Sequence, residues 1–170
     1  MPGNKQYLSY PFLYEDKKIV DFELLTDEIA SYLALAVSFT KDKEFKEELI
    51  KITELVYHLN PCVRKNTKLE GFELAWLFNK YEKYTYLTKD RESLFVLPYG
   101  TKLASVLHIL RTKSKNLVRL LHHINVEGTI IDDSLFDFSN VLANYFFVAA
   151  MYANKLDGVE EIPFASRVYK

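Results

Sequence analysis

A single cysteine, Cys62, rules out an internal disulfide and leaves no second thiolate for a cysteine-based metal site. It is expected to be a small buried hydrophobe. Glycine and proline are also scarce, at five each in 170 residues. So few breakers leave long uninterrupted segments, which favours helices over a sandwich of many short strands. Neither sign of charge dominates: 22 Lys and Arg face 23 Asp and Glu, a net charge of −1. That balance argues against a surface built throughout to bind nucleic acid. No apolar run reaches the length of a membrane span and the N-terminus carries no signal-peptide core, so a cytoplasmic protein without a membrane anchor is expected. What the chain does have is apolar mass. With 49% hydrophobic and 15% aromatic residues it is expected to bury a real core as one domain over residues 1–170.

Five helical segments follow from apolar spacing. The first, about Val20 to Phe39, places Phe22, Leu25, Ile29, Leu33 and Ala36 on one face and Asp21, Asp27, Glu28 and Ser31 on the other. The second runs from Asp42 to about Leu59, with Phe45, Leu49, Ile52, Leu55 and Val56 inward, and should stop before Asn60–Pro61. The third is announced by a capping box of Thr67 and Glu70 and runs to about Leu87. The fourth begins after Gly100 and ends near Gly128. The fifth starts near Asp132–Asp133–Ser134, whose acidic and hydroxyl groups suit a helix N-terminus, and ends at Gly158. The expected class is all-α, an up-and-down five-helix bundle over residues 20–158 with a tail over 159–170.

On the fourth helix, Leu103, Leu107, Leu110, Ser114, Leu117, Leu121 and Ile124 form a narrow packing seam. A second stripe, His108, Arg111, Lys115, Arg119 and His122, gathers cations within reach of one another. Spacing alone favours a solvated face, although a helix that cradles a polyphosphate needs the same stripe. A di-metal carboxylate bundle is excluded because no Glu-x-x-His pair occurs, and no metal ligand is assigned. Walker, Rossmann and nucleophile-elbow motifs are absent as well.

Preceding that helix is Phe95-Val96-Leu97-Pro98-Tyr99-Gly100, and the helix itself carries Leu107-His108-Ile109-Leu110-Arg111-Thr112. Asn140 and Tyr152-Ala153-Asn154 follow, then Gly158-Val159-Glu160-Glu161-Ile162-Pro163-Phe164, while Asp27-Glu28-Ile29-Ala30-Ser31 opens the first helix. In this order the pieces resemble the ATP:cob(I)alamin adenosyltransferases of the propanediol-utilisation type, which are trimeric five-helix bundles. The resemblance implies a transferase that passes the 5′-deoxyadenosyl group of ATP to cob(I)alamin and releases triphosphate. Its substrates would be ATP, with Mg²⁺, and a corrinoid, and its site would lie between the subunits of a homotrimer. It further implies that Phe95 stands against the lower corrin face and keeps the axial base away, and that Arg111 pairs with Asp27 across the subunit boundary. Gly3, Asn4, Lys5, Lys115, Arg119, Asn140 and Asn144 would hold the nucleotide.

Several positions depart from that pattern. The family's N-terminal phosphate loop reads threonine-glycine-aspartate-x-glycine-x-threonine, whereas residues 1–19 keep only a remnant, Pro2-Gly3-Asn4-Lys5-Gln6-Tyr7-Leu8. Lys115 replaces an arginine, Asn116 and Val118 replace arginine and glutamate, and Val141, Ala143 and Asn144 replace arginine, serine and aspartate. Two readings follow: an adenosyltransferase, or a non-catalytic bundle relative that binds nucleotide, corrinoid or a protein partner.

Overall fold

Each of the five stripes becomes a helix in the computed structural model, which describes residues 3–91 and 95–168. Helix α1 spans Lys18–Phe39, α2 Lys43–Lys65, α3 Gly71–Leu87, α4 Lys102–Val126 and α5 Asp133–Leu156, after a single 3-10 turn at Lys5–Tyr7. Among the described residues the only β pairing is an isolated bridge between Val96 and Pro163.

The helices alternate in direction. Thr101 at the start of α4 donates its N–H to Asn154 near the end of α5, and Lys102 lies over the ring of Phe39 at the end of α1. Helix α3 runs parallel to its neighbour α5: the Leu69 N–H reaches Ser134 at one end, and Lys155 reaches the Leu87 carbonyl at the other. The expected seam of α4 is buried throughout, as are the expected inward faces of α1 and α2. Fully burying one such Leu or Phe side chain stabilises the fold by about 1.5–3 kcal/mol. Cys62 is buried among them as an apolar side chain.

Three boundaries differ from expectation. Helix α1 begins two residues early, at Lys18. Helix α2 does not stop before Asn60–Pro61 but passes through Pro61 to Lys65. The local penalty of an interior proline is outweighed because Leu59, Cys62 and Val63 continue the buried face, and Thr26 Oγ donates to Asn60 Oδ1 at 2.8 Å across the α1–α2 contact. The helix then ends at Asn66 in the left-handed region (φ 51°), a conformation Asn tolerates. The capping box of α3 is formed by Glu70 and Glu73, not Thr67 and Glu70, with the Glu70 N–H donating to Glu73 at 3.1 Å.

Of the 17 residues of α3, only Leu77 and Tyr84 are buried. A buried carboxylate helps to hold this helix: Glu48 of α2 accepts from the Tyr84 hydroxyl at 2.8 Å and from Lys80 and Lys83.

Candidate functional site

Phe95 begins the apolar loop and is 57% exposed, and its loop neighbour Tyr99 is 61% exposed. The loop's backbone is held by the tail. Leu97 N–H donates to the Ile162 carbonyl at 2.9 Å and Phe164 N–H to the Phe95 carbonyl at 2.8 Å. At its far end Gly100 has φ 140°, a conformation L residues rarely adopt, and a Cβ there would sit 1.9 Å from Asn154 Oδ1. Asn154, fully buried, accepts from Thr101 N–H and donates to the Tyr99 carbonyl. Thr101 in turn caps α4, its hydroxyl accepting from Ala104 N–H at 3.1 Å.

About two turns into α4, His108 and Arg111 flank Phe147 of α5, the guanidinium carbon 5.5 Å and the imidazole 6.4 Å from its ring centre. Together with Pro98 of the loop, Lys113 and Asn116, they line a cavity of about 480 Å³. Two polar atoms in this wall are buried without partners among the described residues: Arg111 Nε and His108 Nδ1. Burial, reinforced by the neighbouring Arg111 charge, pushes the His108 pKa down to about 4, so the ring is neutral near pH 7. Burial also lowers the Arg111 pKa from its usual value. Lys113 is already paired, donating to Glu28 of α1 at 2.6 Å. The basic stripe therefore divides: His108 and Arg111 turn inward, while Lys115, Arg119 and His122 are exposed and form no ion pair among the described residues.

Asn140 and Asn144 line a neighbouring groove of about 460 Å³ between α3 and α5, opposite Ala75 and Phe78. Asn140 spends one amide hydrogen on the Phe136 carbonyl one turn back, at 2.9 Å. Phe147, whose ring Arg111 covers, lies one turn beyond Asn144 on α5. Asp27 lies elsewhere. It is exposed on α1 and accepts from the Tyr57 hydroxyl of α2 at 2.8 Å, so within one chain it does not meet Arg111.

Gly3, Asn4 and Lys5 are exposed at the N-terminus, where Asn4 caps the 3-10 turn by accepting from Gln6 N–H. This segment is tied to the end of the bundle opposite the Phe95 loop. Tyr10 donates to Glu23 at 2.7 Å, Glu23 is paired with Arg64 near the end of α2, and the Arg64 guanidinium covers Phe12.

Within one chain the Arg111 cavity meets the Phe95 loop at Pro98, while Asn140 and Asn144 line the separate groove between α3 and α5. Asp27 and the N-terminal residues line neither. Spacing places His108 only in the polar stripe and assigns nothing to Phe147. The signal for His108 was its place between Leu107 and Leu110 on the edge of the packing seam.

A family profile described as cobalamin adenosyltransferase matches residues 13–153. The chain is 26% identical over 147 residues to the corrinoid adenosyltransferase of Bacillus subtilis (strain 168), covering 81% of this chain and 75% of that protein. Among solved structures, a phenylalanine-to-alanine variant of the PduO-type ATP:corrinoid adenosyltransferase from Lactobacillus reuteri, complexed with cobalamin and ATP, superposes with a TM-score of 0.77 at 25% identity, covering 91% of this chain and 90% of that one. An arginine-to-lysine variant of the same enzyme, complexed with ATP, gives 0.76 at 27% identity over 90% of each chain.

Proposed function

Because the chain belongs to the cobalamin adenosyltransferase family, we propose that it transfers the 5′-deoxyadenosyl group of ATP to a corrinoid substrate. The observation that carries this reading is the cavity wall. It unites the loop of Phe95 with Arg111, a cation whose Nε–H is buried and lacks a partner among the described residues. In the reaction the cobalt(I) centre of the substrate attacks C5′ of ATP. A cobalt–carbon bond forms, the C5′–O bond breaks, and triphosphate leaves with the electron pair. The protein has to align the nucleotide with the metal, exclude the axial base and stabilise the departing charge.

Phe95 supplies a rigid apolar plate toward the corrin, for which its exposed ring suits it. Lys115 and Arg119 offer unengaged cations to the triphosphate, and Asn140 and Asn144 offer amides from the adjacent groove. The L. reuteri arginine-to-lysine variant complexed with ATP supports nucleotide binding in this fold after such an exchange, and Lys115 keeps the charge without the bidentate fork. Mg²⁺ would arrive on the triphosphate: among the described residues no group of three or more His, Cys, Asp or Glu is arranged to hold an ion.

Arg111 and Asp27 point to different sides of one chain, so the site is completed by Asp27 and the N-terminal loop of a second copy, in a homotrimer. Among the described residues no helix is long and apolar enough to cross a membrane, and we place the reaction in the cytoplasm.

One observation favours the second reading, a non-catalytic nucleotide or corrinoid binder: Asn4 and Asn140 already spend hydrogen-bonding groups on their own backbone. An anaerobic assay with ATP, Mg²⁺ and chemically reduced cobalamin separates the two. The enzyme gives the absorbance change of cobalt–carbon bond formation. A protein that binds ATP by calorimetry yet leaves the cob(I)alamin spectrum unchanged is the non-catalytic relative.

A further inference from the structure

The loop that carries Phe95 has little internal support. Among the described residues its one backbone hydrogen bond to itself joins Tyr99 N–H and the Leu97 carbonyl. Its pose comes from outside, from a buried polar cluster that gathers three separate segments. Arg91, just before the loop, donates through Nε to Glu161 and through its guanidinium to the Val159 carbonyl. The Arg91 and Glu161 side chains are only 6% and 3% exposed, so this is a desolvated pair rather than a surface contact. The other oxygen of Glu161 accepts from Asn154 at 3.2 Å. Asn154 carries the connection to the far end of the loop, to the Tyr99 carbonyl and the Thr101 N–H. Residues 162–164, next to Glu161, pair with Phe95–Leu97. Glu161 thus reaches the segment before the loop directly, the loop's middle through the tail backbone, and its end through Asn154.

We propose that Arg91, Glu161 and Asn154 are positioning residues, a buried clamp that acts through the tail to fix the pose of Phe95. The inference rests on the adenosyl-transfer reading above for its catalytic consequence. An apolar plate that displaces an axial base has to resist being pushed aside, and a loop with one internal hydrogen bond does not do so alone. The clamp supplies the stiffness. It touches neither substrate, so its loss should spare nucleotide affinity and penalise the step that depends on the plate. Arg91 is far in the chain from Asn154 and Glu161, and the latter two fall beyond the residues matched by the family profile.

The test compares wild type with Glu161→Ala, Glu161→Gln and Phe95→Ala in the whole protein. Amide hydrogen exchange of the ligand-free protein reads the clamp alone. Glu161→Ala should speed exchange at Leu97 and Thr101 by about tenfold or more while the Leu117 amide in the centre of α4 stays protected. Glu161→Gln keeps the shape and part of the hydrogen bonding, and should fall between. In the cobalamin assay, Glu161→Ala should copy Phe95→Ala. The rate from cob(II)alamin plus reductant and the spectroscopic signature of four-coordinate cob(II)alamin should fall by about tenfold or more, with ATP affinity within about twofold of wild type. Combining Glu161→Ala with Phe95→Ala should add little further loss.

Unchanged exchange at Leu97 and Thr101 in both Glu161 variants would overturn the clamp. Faster exchange with an undiminished four-coordinate signature would overturn its catalytic role. Wild-type protein with no cobalamin chemistry would overturn the adenosyl-transfer reading and the catalytic consequence with it, while the exchange data would still decide whether the clamp holds the loop.

Discussion

His108 shows how a single buried ring sets a pH response. Its pKa in the folded protein is about 4, against 6.5 for the free side chain, because burial and then the Arg111 charge oppose protonation, with Glu161 acting weakly the other way. Between pH 6.5 and 4 the unfolded chain therefore binds a proton that the folded chain refuses, so stability falls as pH falls through that window and the loss is complete below it. The full effect is on the order of 3 kcal/mol. Urea denaturation across this range should show a smaller pH dependence for His108→Gln than for wild type, the difference isolating the imidazole from the carboxylates. Lys115 gives a second test. Lys115→Ala should weaken ATP binding by about 1.5–3 kcal/mol, the range for hydrogen bonds to a charged group, with the loss shrinking at high salt. Calorimetry that finds no change would return Lys115 to the solvated face that its spacing alone suggests. At this scale spacing gathered the stripe around Arg111 and was a poor guide to burial. His108, Arg111, Lys115, Arg119 and His122 share one stripe by spacing, yet only the first two turn inward, because Phe147 on another helix receives them.

At the scale of elements, spacing identified every helix and the whole seam of α4, because both follow from a 3.6-residue period acting locally. Its misses were of the opposite kind. The α2 terminus was misjudged because a local proline rule was applied where long-range burial of Leu59, Cys62 and Val63 decides. Nothing in the sequence around Glu48 separated it from the other charges of α2, since its burial depends on Tyr84 across the bundle. Removing that carboxylate should leave Lys80 and Lys83 to Glu44, with which both are already paired, but strand the Tyr84 hydroxyl. Glu48→Ala is expected to cost about 1–3 kcal/mol in urea unfolding, and adding Tyr84→Phe should recover part of it, since a missing donor no longer needs an acceptor. An additive or larger loss in the double variant would show that the Tyr84 hydroxyl and Glu48 act independently, since Phe keeps the ring packing.

The whole molecule has two unlike candidate faces, one around Asp27 and Tyr57, the other around Arg111 and Phe147. Joining one to the other is a head-to-tail contact, which closes into a ring when the rotation per subunit divides the circle, and does not make a two-fold dimer. Light scattering should therefore give about three times the 19.9 kDa of one chain. Arg111→Ala should abolish activity and lower that mass. Asp27→Ala combined with Arg111→Ala should cost less than the two single losses together, and strictly additive losses would mean that the residues do not touch. The sequence indicated that both partners are retained. That they face apart was implied only by the family resemblance, as a pairing across the subunit boundary; spacing carries no such direction, which emerges only when α1 packs on α2 and α4 on α5.

Residues 159–164 follow all five helices in the chain, yet they hold the loop that precedes α4. The hydrophobic core ends at Ala153, before that strap begins. A protease cut near Gly158 that releases the tail should therefore loosen the Phe95 segment and leave the packed helices in place.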